Sequence, residues 1–122
     1  MTSSVETPDV EALALTMLNP MGVNVSTRVP ARRPDKFIRV SLAGGGEESI
    51  FDTPRLLVEC WAPTTPEASD IARKARLQLQ LSQFDVIGGW QIYGVDADYP
   101  VNFPDEASER YQFLAEIRVR KH

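Results

Sequence analysis

The sequence predicts an α+β fold: a mostly antiparallel sheet of about five strands with two helices packed on one face. Three observations lead there. Five segments alternate apolar and polar residues with the period of two that a half-buried strand requires. Two segments repeat apolar residues at spacings of three and four, as amphipathic helices do. Their order is helix–strand–strand–strand–helix–strand–strand, without an internal repeat, so residues 1–122 are expected to form one domain.

Residues 1–6 are polar and expected to be flexible. Thr7-Pro8-Asp9 opens the first helix: Thr7 is placed to cap, Pro8 suits the first helical position, and Asp9 and Glu11 complement the helix dipole. Val10, Leu13, Ala14, Met17 and Leu18 share one face, and Asn19-Pro20 with Gly22 ends the helix. Val23–Val29 alternates as a strand with one wet face. The basic turn Pro30–Pro34 leads to a second strand, Lys36–Leu42, with Ile38, Val40 and Leu42 on one side. Ala43–Ser49, AGGGEES, reads as a flexible loop.

In the third strand, Arg55–Ala62, Leu56, Val58 and Cys60 alternate with Leu57, Glu59 and Trp61. Thr64 stands three residues before Glu67, a capping-box spacing, with Pro66 in the first turn. The helix expected from there, Thr65–Ser82, is about 27 Å long at 1.5 Å per residue. Ala68, Ile71, Ala72, Ala75 and Leu79 form a small-residue stripe that Leu77 and Leu81 broaden. Gly88-Gly89 breaks the chain before a strand at Trp90–Asp96. The loop Asp98–Glu109 carries two prolines and an acidic cluster and looks too polar to pack. The last strand, Arg110–Arg120, sets Tyr111, Phe113, Ala115, Ile117 and Val119 on one side.

A chain of this length buries roughly two-thirds of its unfolded surface, enough for one core. Its 43% hydrophobic and 25% charged residues are ordinary for a globular protein. The net charge of −4 argues against whole-surface binding to nucleic acid, whose phosphates require a basic partner. No apolar run reaches the roughly 18 residues of a membrane span. MTSSVETPDV lacks the basic and apolar regions of a secretory signal, so synthesis in the cytoplasm is expected.

The motifs that could carry chemistry are few. AGGGEES is not a phosphate loop, which needs Gly-Lys-Ser/Thr opening a helix; Glu47 and Glu48 would repel phosphate. His122 is the only histidine and stands at the end of the chain, with no second His or Cys nearby to complete a metal set. Cys60, the only cysteine, falls in a core pattern with no ordered histidine to activate it. No enzymatic turnover, cofactor or metal is therefore expected. Asp96, Asp98, Asp105, Glu106 and Glu109 lack the spacing of a calcium loop and read as a solvated acidic surface. Arg28, Arg32, Arg33, Lys36 and Arg39 stand against one acid, Asp35. Two readings of that block are open. It is a solvated strand edge that resists aggregation, or a patch facing the acidic loop of a neighbouring identical subunit. On the second reading, Arg32, Arg33, Lys36 and Arg39 meet Asp105, Glu106 and Glu109 of that neighbour.

Three stretches, VPARRPDKFIRVSLAGGG, DTPRLLVECWAPTTPEASDIARKARLQL and YPVNFPDEASERYQFLAEIRVR, fall in this order within Gly22–Arg120. Together they resemble the tail terminator proteins of long-tailed, siphovirus-type phages that infect actinobacteria. The resemblance rests on RP-x-x-F-I-R-V, the strand ending E-C-W-A and the closing R-Y-x-F strand. It implies a structural protein of the virion tail neck, made in the host cytoplasm, that forms a ring homo-oligomer, a hexamer. Such a ring sits at the head-proximal end of the tail tube, stops tube polymerisation and docks the head-completion or connector protein. Its partners would be itself, the tail tube protein and the connector; DNA passes through the lumen without sequence-specific binding, and no membrane takes part. In that setting Gly44, Gly45, Gly46, Glu47 and Glu48 face the tube, the connector or the lumen. Two alternatives stay open: another neck protein, for head closure or head–tail joining, and a small ligand-binding or hydrolase α+β domain. The latter would show a deep pocket of convergent polar groups.

Overall fold

The computed structural model describes residues 7–48, 50–106 and 108–122. Residues 1–6, expected to be flexible, lie outside that range. Helix α1 spans Val10–Leu18 and is capped by Asp9 rather than Thr7: the Asp9 carboxylate accepts from the Ala12 N–H at 3.1 Å. Pro8 therefore precedes the cap instead of occupying the first turn. A 3₁₀ turn, Asn19–Met21, follows, and Gly22 at φ +72° redirects the chain. Strands β1 (Asn24–Ser26), β2 (Phe37–Glu48) and β3 (Phe51–Ala62) come next, then helix α2 (Thr65–Leu81). Strands β4 (Val86–Ile87), β5 (Trp90–Ala97), β6 (Val101–Asn102) and β7 (Glu109–Lys121) complete the chain.

The architecture is α+β, with one seven-stranded sheet in the order β1-β2-β3-β7-β5-β4 and β6 pairing β7 beside β5. It is mixed: β1 runs parallel to β2, and the other pairs are antiparallel. The expected five strands thus become seven, because β4 and β6 are two-residue pairings too short to leave an alternation in sequence. The first strand is shorter than expected. The Ser26 hydroxyl donates to the Arg28 carbonyl at 2.7 Å and accepts from its N–H at 3.0 Å, folding the chain away from the sheet.

Both helices cover the same face. Leu56, Val58 and Cys60 of β3, Phe113, Ala115, Ile117 and Val119 of β7, Ile38 and Val40 of β2 and Ile92 of β5 meet the buried stripes of α1 and α2 in one core. Ala68, Ala72 and Ala75 are fully buried and let α2 lie close to the sheet. Thr64 caps the helix: its hydroxyl accepts from the Glu67 N–H, and the Glu67 carboxylate accepts at 2.8 Å from that hydroxyl rather than from the Thr64 N–H of a full capping box. Leu77 and Leu81 do not broaden the core stripe. They are 54% and 64% exposed, about half a turn round the helix from Ala68, Ala72 and Leu79.

The glycine run is strand, not flexible loop. Leu42 pairs with Leu56 but Gly45 pairs with Pro54, so an extra residue is accommodated on β2 as a bulge. Gly44 and Gly45 take φ of +106° and +119°. A Cβ on Gly45 would stand 2.4 Å from the Thr53 carbonyl oxygen and 2.6 Å from Pro54 Cα. Glycine in sequence marks a bulge with close backbone approach as readily as a loop, and only the partner strand decides between them. Past the bulge, Gly46–Glu48 pairs with Phe51–Thr53. Ser49 and the Glu48 side chain lie outside the described residues. A second bulge, between Ile92 and Gly94, reverses the parity of β5, so that its inward residues change from Trp90 and Ile92 to Val95 and Ala97.

Gly45→Ala should therefore destabilise by roughly 2–4 kcal/mol, combining backbone strain with a steric clash against β3. At Gly46 an added Cβ meets only the Thr53 hydroxyl at 4.0 Å. Gly46→Ala should be neutral or stabilising by up to about 1 kcal/mol. Urea midpoints of the two variants provide the comparison.

Candidate assembly surfaces

The sheet face turned away from the helices carries a charged and aromatic cluster at one end. Cross-strand register lines up Phe37, Trp61 and Arg110 in one row and Arg39, Glu59 and Gln112 in the next. The Phe37 and Trp61 rings stack at 4.6 Å and 8°, and both are buried. The Arg33 guanidinium lies 5.3 Å from the Phe37 ring and that of Arg110 5.4 Å from Trp61, each contact contributing about 0.5–1 kcal/mol. Glu59 is 5% exposed, and its two carboxylate oxygens meet Arg39 Nη1 and Arg110 Nη1, both at 3.2 Å. A carboxylate so deeply buried needs such partners to offset the hydration it has lost.

Asp105 fastens the loop Asp98–Glu109 onto this cluster. Its Oδ2 accepts from Trp61 Nε1 at 2.9 Å and lies 3.7 Å from Arg33 Nη2, while its Oδ1 accepts from the Ser108 N–H at 3.0 Å. Arg33 also donates to Ser108 Oγ at 2.8 Å, and Arg110 Nε donates to the Phe103 carbonyl at 2.8 Å. Within the loop, β6 pairs Val101 with Gln112 and Asn102 with Tyr111. At its start, Arg76 donates to the Ala97 and Asp98 carbonyls at 3.1 Å and lies over the Tyr99 ring at 4.7 Å. The loop is thus tied down by its own chain, against the expectation that it is too polar to pack.

The basic block is largely paired within the chain. Arg33 meets Asp105, Arg39 meets Glu59, and Lys36 Nζ lies 3.0 Å from Glu67 Oε2. The hydrogen bond from the Thr64 hydroxyl, and then Lys36, hold the Glu67 carboxyl below its ordinary range. Arg32 and Glu106 are exposed and without an ion-pair partner among the described residues, and Glu109 is half-buried. Sequence reasoning missed Glu59, Trp61 and Arg110. The available signal was an acid beside Trp61 on the outward alternation of an otherwise apolar strand, but its cationic partners lie 20 and 51 residues away.

At the far end of the hairpin, Glu47 stands directly opposite Asp52, a like-charge pair. Burial, and then Glu47, push the Asp52 carboxyl above its ordinary range. Elsewhere, Cys60 is fully buried, and burial followed by the neighbouring Glu59 charge raises its thiol far above the usual range, so it stays protonated. Among the described residues no group of three His, Cys, Asp or Glu side chains could hold a metal. A cleft of about 380 Å³ adjoins the aromatic stack, lined by Arg33, Pro34, Asp35, Trp61 and Pro63. Its arginine is already committed to Asp105 and Ser108.

Two tests follow from these contacts. Glu59→Ala should cost about 2–3 kcal/mol, less than a fully buried pair because Arg39 keeps access to water. Asp105→Ala should cost about 1–2 kcal/mol and shift Trp61 fluorescence, because the indole N–H loses its acceptor. For Asp52 the sign is opposite to a salt-bridged acid. A raised folded-state pKa means the proton is held more tightly when folded, so ionisation costs stability as pH rises through the carboxylate range. Asp52→Asn should then raise the urea midpoint near pH 7, and the gain should fade toward about pH 3.

Comparison of the chain with family models and with curated proteins finds no match in either.

Proposed function

We propose that this chain is a phage tail terminator, a virion protein whose copies close into a ring, six by the resemblance above, at the head-proximal end of the tail tube. There it halts tube polymerisation and docks the head connector, with the tail tube protein on its other side. The observation that carries the reading is how the capable side chains are used. Cys60 is buried and protonated, Glu59 is locked between two arginines, and Asp105 fastens a loop. What is left for partners is surface. The segments carrying the resemblance run through most of β2, β3 and α2 and through β6 and β7, so it draws on the middle of the sheet and the helix that covers it. A net charge of −4 suits a ring that lets DNA pass without holding it. The narrow β2–β3 end, with Gly44–Gly46 and Glu47, is the part proposed to face the tube, the connector or the lumen.

Electron microscopy of purified virions and of the isolated protein tests the reading. A six-fold ring of this chain at the tail–head junction is the expected result. Its density on the portal side instead would make it a head-closure or head–tail joining protein. Absence from the virion would overturn an assembly role in the neck.

A further inference from the structure

We infer that the two edges of the sheet form one head-to-tail interface between copies of this chain, the β4–β6 edge of one copy seating on the β1–β2 edge of the next. The inference rests on the ring reading above and specifies its contact. The strand order places residues 24–42 and residues 84–106 on opposite sides of the sheet. The second of these edges is apolar: Phe84 is 70% exposed, Tyr99 79%, and Val86, Val101 and Phe103 about half. A monomer rarely leaves so many large apolar groups along one side in water.

Two of these side chains are also held in place. Arg76 lies over Tyr99 and Arg110 over Phe103, so little rotamer entropy remains to be lost on docking. Phe84 sits at φ +73°, just past the end of α2, where glycine or asparagine is the usual occupant. An exposed aromatic kept at such a backbone position gains nothing for the isolated fold.

Charge selects the occupant. Between Phe84 and Glu106 there is no lysine or arginine, and Asp85, Asp96, Asp98 and Glu106 are exposed without an ion pair among the described residues. On the opposite edge, Arg28 and Arg32 are exposed and lack an acidic partner among the described residues, against one exposed acid without an ion pair there, Asp35, and Val29 and Leu42 of that edge are exposed too. There β1 pairs β2 only over Phe37–Arg39, leaving the rest of that edge without a strand neighbour. An acidic, aromatic edge and a basic, apolar edge on opposite sides of one sheet complement each other between copies. Because the two surfaces differ, each copy keeps one edge free until the ring closes.

Complementation tests this. Tyr99→Asp with Val101→Asp disables one edge; Arg28→Glu, Val29→Asp and Arg32→Glu disable the other. Every altered side chain is exposed, so circular dichroism and thermal melts should match wild type; if the triple variant differs, Arg32→Glu alone replaces it. Each variant should self-associate about tenfold or more weakly than wild type in sedimentation at low salt. Mixed in equal amounts, the two should form a dimer and grow no further, since each retains one working edge. Leu77→Asp, on the outward ridge of α2, should assemble like wild type. Wild-type rings that persist in both edge variants, or that only Leu77→Asp breaks, would overturn the inference while leaving the ring reading intact. A wild-type chain that stays monomeric at every concentration would count against both.

Discussion

The buried carboxylate of Glu59 is where three strands are held in register. Taking that charge out of water is offset only because Arg39 of β2 and Arg110 of β7 reach it from either side, each on its own oxygen. Both arginines then act a second time. Arg39 Nε lies 3.4 Å from the Thr27 carbonyl, drawing in the start of the basic turn. Arg110 holds the Phe103 carbonyl and covers Trp61, whose indole N–H is the anchor for Asp105. A slip of one residue in β3 would turn Glu59 into the apolar core and Cys60 outward, so this face specifies the register as firmly as the core does.

Behind that face the helices supply most of the burial. Alanines on α2 allow close approach, while α1 adds larger residues, Leu13, Met17 and Leu18, at the β2 side. α1 also serves the exposed edge. Glu11 accepts from the Leu42 N–H at 3.0 Å, satisfying a donor that has no strand beside it. The two bulges are the price of fitting long strands to one curved sheet, and each falls where glycine permits it.

Function follows from what this framework leaves over. Charges that looked available for a neighbour are in large part internal braces, and the surplus that remains is partly separated by edge, with Asp85, Asp96, Asp98 and Glu106 on one side and Arg28 and Arg32, alongside Asp35, on the other. Separation of that kind does little for a monomer and a good deal for a repeating contact. Within a proposed terminator ring, the bracing explains how a chain of 122 residues could keep a fixed shape while touching three kinds of partner.

The sequence by itself determined the two helices, the long strands and the inward residues of β3 and β7, because periodicity and caps are local signals. It also showed the opposed charge blocks. Leu77 and Leu81 were misplaced because an apolar residue says nothing of which side of a helix the sheet occupies. AGGGEES was misread because glycine is compatible with a loop and with a bulge, and the carbonyl of Thr53 that forbids a side chain at Gly45 lies on another strand. Glu59, Trp61 and Arg110 gained their roles only when register brought residues up to 51 positions apart into contact. Tertiary structure decided which charges are braces and which remain for partners, since ion pairing depends on distance in space and the chain order carries no such distance.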